Sequence, residues 1–384
     1  MPLKLLHTAD WQIGRTYSGF NAEDAAALAE ARFTTVEQLA RLATEQQADA
    51  VLVAGDVFDA QTLAPRTLRR LFHALAGFSG PWVLMPGNHD AALGEGVWAQ
   101  VQRLNLAPPN VHLALQPGVL ELPAARCAVL LAPLTQRHTH SDLTAPFDHL
   151  PSPEGWFRVG MAHGAVQGLL ADSIDSANPI AADRADTARL DYLALGDWHG
   201  TRIVGPRCAY SGTPEPDRFR NNDAGQALWV ELDAPGAPPR LTPVATGQHD
   251  WRQWALDLQV PSDLDQALAE LATLPARTVL DFSARGRLDL AQHQRLLAAL
   301  GACEGRLRAL RCDLGALQMA PTADDIAALH ADGWLGEVLA ELRDTPAEPA
   351  EAAATAQAAL ALLTTLLADG PAAAGTTPAT GASA

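Results

Sequence analysis

Leu3-Lys4-Leu5-Leu6-His7-Thr8-Ala9-Asp10-Trp11-Gln12 opens the chain with a pattern that later segments repeat: an apolar run, read as a strand over Leu3–Ala9, closed by polar side chains. Ala50–Ala54 runs into Gly55-Asp56-Val57-Phe58-Asp59, and Trp82–Met85 into Gly87-Asn88-His89-Asp90. Phe157–Ala162 leads to His163-Gly164, and Tyr192–Leu195 to Gly196-Asp197-Trp198-His199. In α/β sheets ligands gather beyond the carboxyl ends of strands, where loops from separate strands converge. Five polar clusters at five strand ends therefore predict one shared site.

The segments between the first of these strands read as helical. Asn21 caps a pattern with apolar residues at Ala25, Leu28, Ala29, Phe33, Val36, Leu39 and Leu42, and Pro65–Phe78 reads as a second helix. Cys127–Ala132 adds another strand. Short apolar runs alternating with helices indicate an α/β layer architecture. Beyond Val204, Cys208–Tyr210, Gln226–Leu232 and Leu241–Val244 look like antiparallel strands between Pro- and Gly-rich turns.

The chemistry of the clusters is as informative as their placement. Carboxylates, an amide oxygen and imidazoles together make mixed oxygen and nitrogen sites for divalent metals. Two ions held ~3.5–4 Å apart clamp phosphate oxygens and activate a water for in-line attack, which is phosphoester hydrolysis.

The order and spacing of these motifs resemble the calcineurin-like metallophosphoesterases over roughly the first 220 residues. Within that superfamily, His7-Thr8-Ala9-Asp10-Trp11 and Tyr210-Ser211-Gly212-Thr213-Pro214 resemble SbcD-like DNA-repair exonucleases. The resemblance implies a four-layer α/β sandwich, two mixed β-sheets flanked by helices, with a smaller α+β C-terminal domain. It implies that Asp56 bridges two metals, that Asp10, Gln12 and His199 complete one position, and that Asn88, His163 and Asp197 complete the other. His89 matches the histidine that contacts the scissile phosphate and protonates the leaving oxygen. Asp90 is expected to orient His89, and Asp59 to support the site from behind. DNA as substrate and an SbcC-like P-loop ATPase as partner are further implications, and a homodimer is compatible with them.

Two positions depart from the family pattern, which has His where Gln12 and Asp197 stand. Both changes move the pair toward oxygen ligation, favouring Mn²⁺, with Mg²⁺ or Fe²⁺ as alternatives, over Zn²⁺. They also leave the occupancy of one position open.

Composition limits the function classes. The net charge is −17, with 18 basic against 26 acidic groups up to residue 249 and 9 against 18 beyond it. Neither part is a basic nucleic-acid clamp, so DNA binding would need a partner's or a metal's charge. Two other readings stay open: a phosphodiesterase or phosphatase for small nucleotides, and a non-catalytic adaptor with a decayed site. The uncharged run Ala352–Ala368 falls short of a bilayer span of ~20 strongly apolar residues. The opening strand does not resemble a secretory signal, so the cytoplasm is expected. Cys127, Cys208, Cys303 and Cys312 lack metal or disulfide spacing and are expected as buried thiols.

Four parts are expected: a nuclease-like domain over 1–249, an α+β capping domain over 250–320, an acidic helical appendage over 321–369 and a disordered tail over 370–384. The capping domain is predicted from Trp254–Val260, Leu264–Leu274, Thr278–Ser283, Leu290–Leu300 and Leu307–Asp313 as strand, helix, strand, helix, strand. The appendage carries two helical patterns, Ile326–Leu342 and Ala350–Leu367.

Several residues read more simply. His7 lies within a strand and is expected in the core; Trp11 and Trp198 are expected to pack as walls; His138 and His140 belong to an exposed loop. Arg15, Arg202, Arg207, Arg218 and Arg220 fit phosphate contacts or solvated loops equally well.

Overall fold

The computed structural model describes residues 2–168, 177–220, 222–320, 322, 334–345, 351–352, 355–356, 358–360 and 362–363. Two compact units divide the chain, Met1–Arg252 and Gln253–Ala384. The first contains β1 (Leu3–Thr8), α1 (Ala22–Glu45), β2 (Ala50–Ala54), α2 (Pro65–Ala74), β3 (Trp82–Met85), α3 (Val97–Arg103), β4 (Val111–Leu113), β5 (Gly118–Leu122) and β6 (Cys127–Ala132). It continues with β7 (Phe157–His163), β8 (Ala165–Val166), β9 (Pro179–Ile180), α4 (Arg184–Thr187), β10 (Tyr192–Gly196), β11 (Arg202–Gly205), β12 (Cys208–Tyr210), β13 (Gln226–Leu232) and β14 (Arg240–Ala245).

These strands form two six-stranded sheets, ordered β14-β13-β1-β2-β3-β4 and β11-β12-β10-β7-β6-β5. Strands β1 to β4 run parallel, as do β6, β7, β10 and β12, and the outer strands β13, β14, β5 and β11 are antiparallel. Cys208–Tyr210, expected in an antiparallel set, lies parallel to β10 and antiparallel only to β11. Its short apolar run could not reveal which neighbour it pairs with.

Strand alternation separates the layers. Leu5, Leu52, Ala54, Val83 and Met85 face inward and meet Val129, Val159, Met161 and Tyr192 of the second sheet. Leu6, Val51 and Val53 face outward against Val36 and Leu39 of α1 and Leu68 and Leu71 of α2. Leu130, Leu193 and Leu195 on the far face pack with Phe147, Ala185 and Leu190. The result is the four-layer α/β sandwich with two mixed sheets. Because both faces of the central strands are covered, they read as continuous apolar runs.

Local signals set the element ends. Asn21 accepts a hydrogen bond from the Asp24 amide at 2.8 Å and starts α1 one residue later. The helix expected over Pro65–Phe78 ends at Ala74 and tightens into a 3₁₀ turn over Leu75–Gly77. Cys127, Cys208 and Cys303 are buried free thiols, whereas Cys312, also expected inside, is exposed. It lies on an edge strand, where successive side chains alternate toward solvent.

The second unit holds a three-stranded sheet, β15 (Asp250–Leu258), β16 (Thr278–Leu288) and β17 (Ala309–Met319), with β16 central. Helices α5 (Pro261–Thr273) and α6 (Leu290–Glu304) supply Leu264, Leu271, Leu296 and Leu300 to one core with Leu280 and Phe282. Asp289 caps α6 by accepting from the Gln292 amide at 2.7 Å, and the Gln292 side chain returns the bond. Helix α7 (Trp334–Arg343) covers the described end of the Ile326–Leu342 pattern. Residues 326–333, much of 350–367 and all of 370–384 lie outside the described residues.

Candidate metal centre

The carboxyl ends of β1, β2 and β3 from one sheet, and of β7 and β10 from the other, come together at one edge of the sandwich. Backbone hydrogen bonds zip the first two loops to each other. The amides of Asp10, Gln12 and Ile13 donate to the carbonyls of Gly55, Asp56 and Val57 at 3.0, 3.0 and 2.9 Å, and the Asp59 amide returns one to Ile13 at 3.0 Å. Asp10, Gln12, Asp56 and Asp197 all take positive φ, 54°, 50°, 53° and 99°. For non-glycine residues such backbone costs of order 1–3 kcal/mol each, and such residues cluster where a side chain must be aimed.

Asp10, Asp56 and His163 are buried, and one ligand atom from each lies within 4.8 Å of the others. The His163 Nδ1–H donates to the Ala54 carbonyl at 2.9 Å, so Nε2 is turned to the cluster. Around Nε2 stand Asn88 Oδ1 at 3.4 Å and Asp56 Oδ1 and Asp197 Oδ1 at 3.6 Å each. The Asp197 amide in turn donates to both Asp10 oxygens at 3.1 and 3.2 Å. Six of the seven expected ligands are thereby gathered, since the Gln12 amide nitrogen donates to Asp56 Oδ2 at 2.8 Å. Its carbonyl oxygen Oε1 is buried without a hydrogen-bond partner. An orphaned acceptor on a side chain hydrogen-bonded to the Asp56 carboxylate is what a divalent ion would satisfy.

The seventh, His199, stands beside Asp10, whose carboxyl feels its charge. Its Nδ1 lies 3.1 Å from Asp217 Oδ1. Arg218 Nη2 stands 2.9 Å from Nδ1 and 3.1 Å from Nε2, which places the guanidinium across the ring face.

Electrostatics favour a cation. Burial raises the Asp10 carboxyl to about 6, with Asp56 and Asp197 adding to the rise against His199 and His163. Burial alone would push His163 down, but the charges of Asp56, Asp10 and Asp197 raise it to about 9. Crowded carboxylates that pull a proton onto an imidazole would bind a divalent ion in its place.

Glycines make room for this packing. A Cβ on Gly55, at φ +95°, would stand 2.1 Å from His163 Nδ1, and one on Gly87 would stand 2.2 Å from Asp56 Oδ1. No side chain fits at either position.

His89 is one-third exposed beside the cluster, and its amide donates to Asp56 Oδ1 at 2.9 Å. Its ring Nδ1 lies 3.1 Å from the Asp59 carbonyl and 3.8 Å from Asp59 Oδ1. Asp90, expected to orient His89, does not: its carboxylate accepts from the amides of Gly87 at 2.6 Å and Phe58 at 3.1 Å. Neighbouring side chains on a loop diverge, and Asp90 points inward to tie the third loop to the second. Burial lifts its carboxyl to about 8, aided by Asp56.

Sequence reasoning missed Asp217 and Arg32. Asp217 is buried and sits 3.4 Å from Arg15, 3.0 Å from Arg218 Nε and 4.0 Å from Arg32. Although burial opposes it, bonds to His199 and Arg218 and the charge of Arg32 hold its carboxyl far below the usual range. Arg32, on α1, also donates to the Trp11 carbonyl at 2.7 Å and the Tyr17 hydroxyl at 2.8 Å, bracing the turn between Asp10 and Gln12. The only sequence signal for Asp217 was its place just beyond Ser211-Gly212-Thr213-Pro214. His7 packs in the core against Tyr192 with a 2.8 Å bond, Trp11 packs edge-on against Trp82, and His138 and His140 are exposed.

Residues 3–118 match the family model described as Calcineurin-like phosphoesterase. The chain is 42% identical over 296 residues to the SbcD component of the SbcCD nuclease of Rhodobacter capsulatus, covering 63% of this chain and 69% of that protein. The chain belongs to the SbcD-like calcineurin-like phosphoesterases. A second family member, the SbcD component of the SbcCD nuclease of Bacillus subtilis, is 26% identical over 60% of this chain and 66% of its own length. The DNA double-strand break repair protein Mre11 of Aeropyrum pernix is 27% identical over 60% and 59%. Gln12 and Asp197, where the resemblance led to the expectation of histidines, both face the cluster.

Proposed function

We propose that this chain is a metal-dependent phosphodiesterase that cleaves DNA, working in the cytoplasm with an SbcC-like ATPase in DNA repair. The observation that carries the reading is the convergence of Asn88 Oδ1, Asp56 Oδ1 and Asp197 Oδ1 within 3.4–3.6 Å of His163 Nε2, with Asp10 beside them. Asp10, Gln12, Asp56 and His199 would hold one ion, and Asn88, His163 and Asp197 together with Asp56 would hold the other. Two divalent ions, with Mn²⁺ favoured by the oxygen-rich set, would polarise the phosphodiester and lower the pKa of the attacking water.

The chain's own residues do the rest. His89 stands outside the ligand set, and with Nδ1 directed to Asp59 its Nε2 is the atom left to meet the scissile phosphate and hand a proton to the leaving oxygen. Asp59 holds that ring. Asp90 fixes the Gly87 loop from which Asn88 and His89 project. The preserved convergence supports catalysis over the adaptor reading, and the names of the relatives support DNA over small nucleotides.

The test is to supply single- and double-stranded DNA with Mn²⁺, with and without the ATPase, beside a chromogenic bis-aryl phosphodiester. Mn²⁺-dependent DNA cleavage is expected. Turnover of the small diester with no DNA cleavage in any combination would overturn the DNA assignment.

A further inference from the structure

The two halves of the cluster are prepared differently for a cation. Around His163 most of the ligand atoms are held by bonds that leave them open: Nδ1 is spent on Ala54, Asp197 is held through its backbone amide, and only Asp56 Oδ1 also accepts, from the His89 backbone amide at 2.9 Å. Three side-chain oxygens lie within 3.6 Å of Nε2. Gly55 and Gly87 seat the ring and Asp56 closely enough that no Cβ fits. This half is formed in advance.

The half built from Asp10, Gln12, Asp56 and His199 already contains protein donors. Gln12 Nε2 occupies Asp56 Oδ2 at 2.8 Å, leaving its own buried oxygen unpartnered. Arg218 lays a permanent positive charge within 3.1 Å of both nitrogens of His199. A like charge this close opposes a second cation. Arg218 is also accessible. Its side chain is 37% exposed, and the buried Asp217 carboxylate holds Nε at 3.0 Å and Nη2 at 3.1 Å, so that turning Nη2 away from His199 costs one of these bonds, which a phosphate oxygen could replace. A phosphodiester offers the guanidinium fork a matching pair of oxygens.

We propose that the two metal positions are unequal, and that Arg218 keeps the Asp10–Gln12–His199 position weak until a phosphodiester draws the guanidinium away from His199. The proposal rests on the two-metal reading above. It makes the second ion and the substrate mutually reinforcing ligands, since coupling between two binding events is reciprocal.

The test is a Mn²⁺ titration of the full chain, counting free ion from the electron paramagnetic resonance signal of the hydrated ion, with dimethyl phosphate as the probe. The wild type is expected to show two classes of site separated by about tenfold or more, with dimethyl phosphate strengthening only the weaker. Arg218→Met should tighten the weaker class by about tenfold and remove its response to the diester. Gln12→His, with Arg218 intact, should also tighten that class and keep the response. Two equal classes in the wild type, or a weaker class that neither variant moves, would overturn the proposal. A wild-type chain that binds no Mn²⁺ would instead overturn the two-metal reading itself.

Discussion

Where the strands of the first unit begin, Lys4, Asp49, Arg126 and Asp233 line a cavity of about 550 Å³; where they end, Asp10, Asp56, His163 and Asp197 crowd into a few ångströms. That open space belongs to the chemically poorer edge. Left-handed backbone occurs at both, but Gln47 and Arg126 merely close helical turns, following α1 and the 3₁₀ turn at Pro123–Ala125. At the other edge the same conformation bends Asp10, Gln12, Asp56 and Asp197 toward one point. Among the described residues, the group of histidine and carboxylate atoms able to share an ion is there. Convergence of aimed side chains distinguishes a site; volume does not.

That contrast can be broken most forcefully at Asp56. Asp56→Asn should weaken both metal positions and cut DNA cleavage on the order of 10³–10⁴-fold, measured as kcat/KM beside Mn²⁺ binding. His89→Asn should cost roughly 10²–10³-fold in kcat while Mn²⁺ binding stays at the wild-type level, which separates proton delivery from ligation. Asp217→Asn, which loosens His199 without touching substrate, should lower activity or metal affinity roughly 10- to 100-fold. At the opposite edge, Lys4→Met should leave cleavage unchanged and move unfolding free energy by less than about 0.5 kcal/mol, read from urea melts. A cleavage defect in that last variant would erase the distinction between the edges.

The central strands were legible because they are fully buried and apolar. Edge strands were not: β4, β5 and β11 are short and half-exposed, with Val111-His112-Leu113 and Arg202-Ile203-Val204-Gly205 giving no periodic signal. The cluster of expected ligands could be read because each member sits at the end of such a strand or within four residues beyond it, and the strands fixed where those side chains would meet. Asp90 was misassigned because adjacency in sequence does not carry over to side-chain direction on a tight loop. Asp217 could not be found by spacing at all. Its role comes from His199, Arg15 and Arg32, which lie 18 to 202 residues away along the chain and meet it only after folding.

The cluster draws its side chains from both sheets, from Asp10 beyond β1 of the first to Asp197 and His199 beyond β10 of the second. A bound ion therefore acts as a rivet between the two layers, existing only when both have docked. Whatever binds the native state alone stabilises it by mass action, about 1.4 kcal/mol for each tenfold excess over the dissociation constant. The melting temperature of the first unit should consequently climb with the logarithm of Mn²⁺ concentration and fall on chelation, so that the catalytic ion is also a mechanical part of the fold.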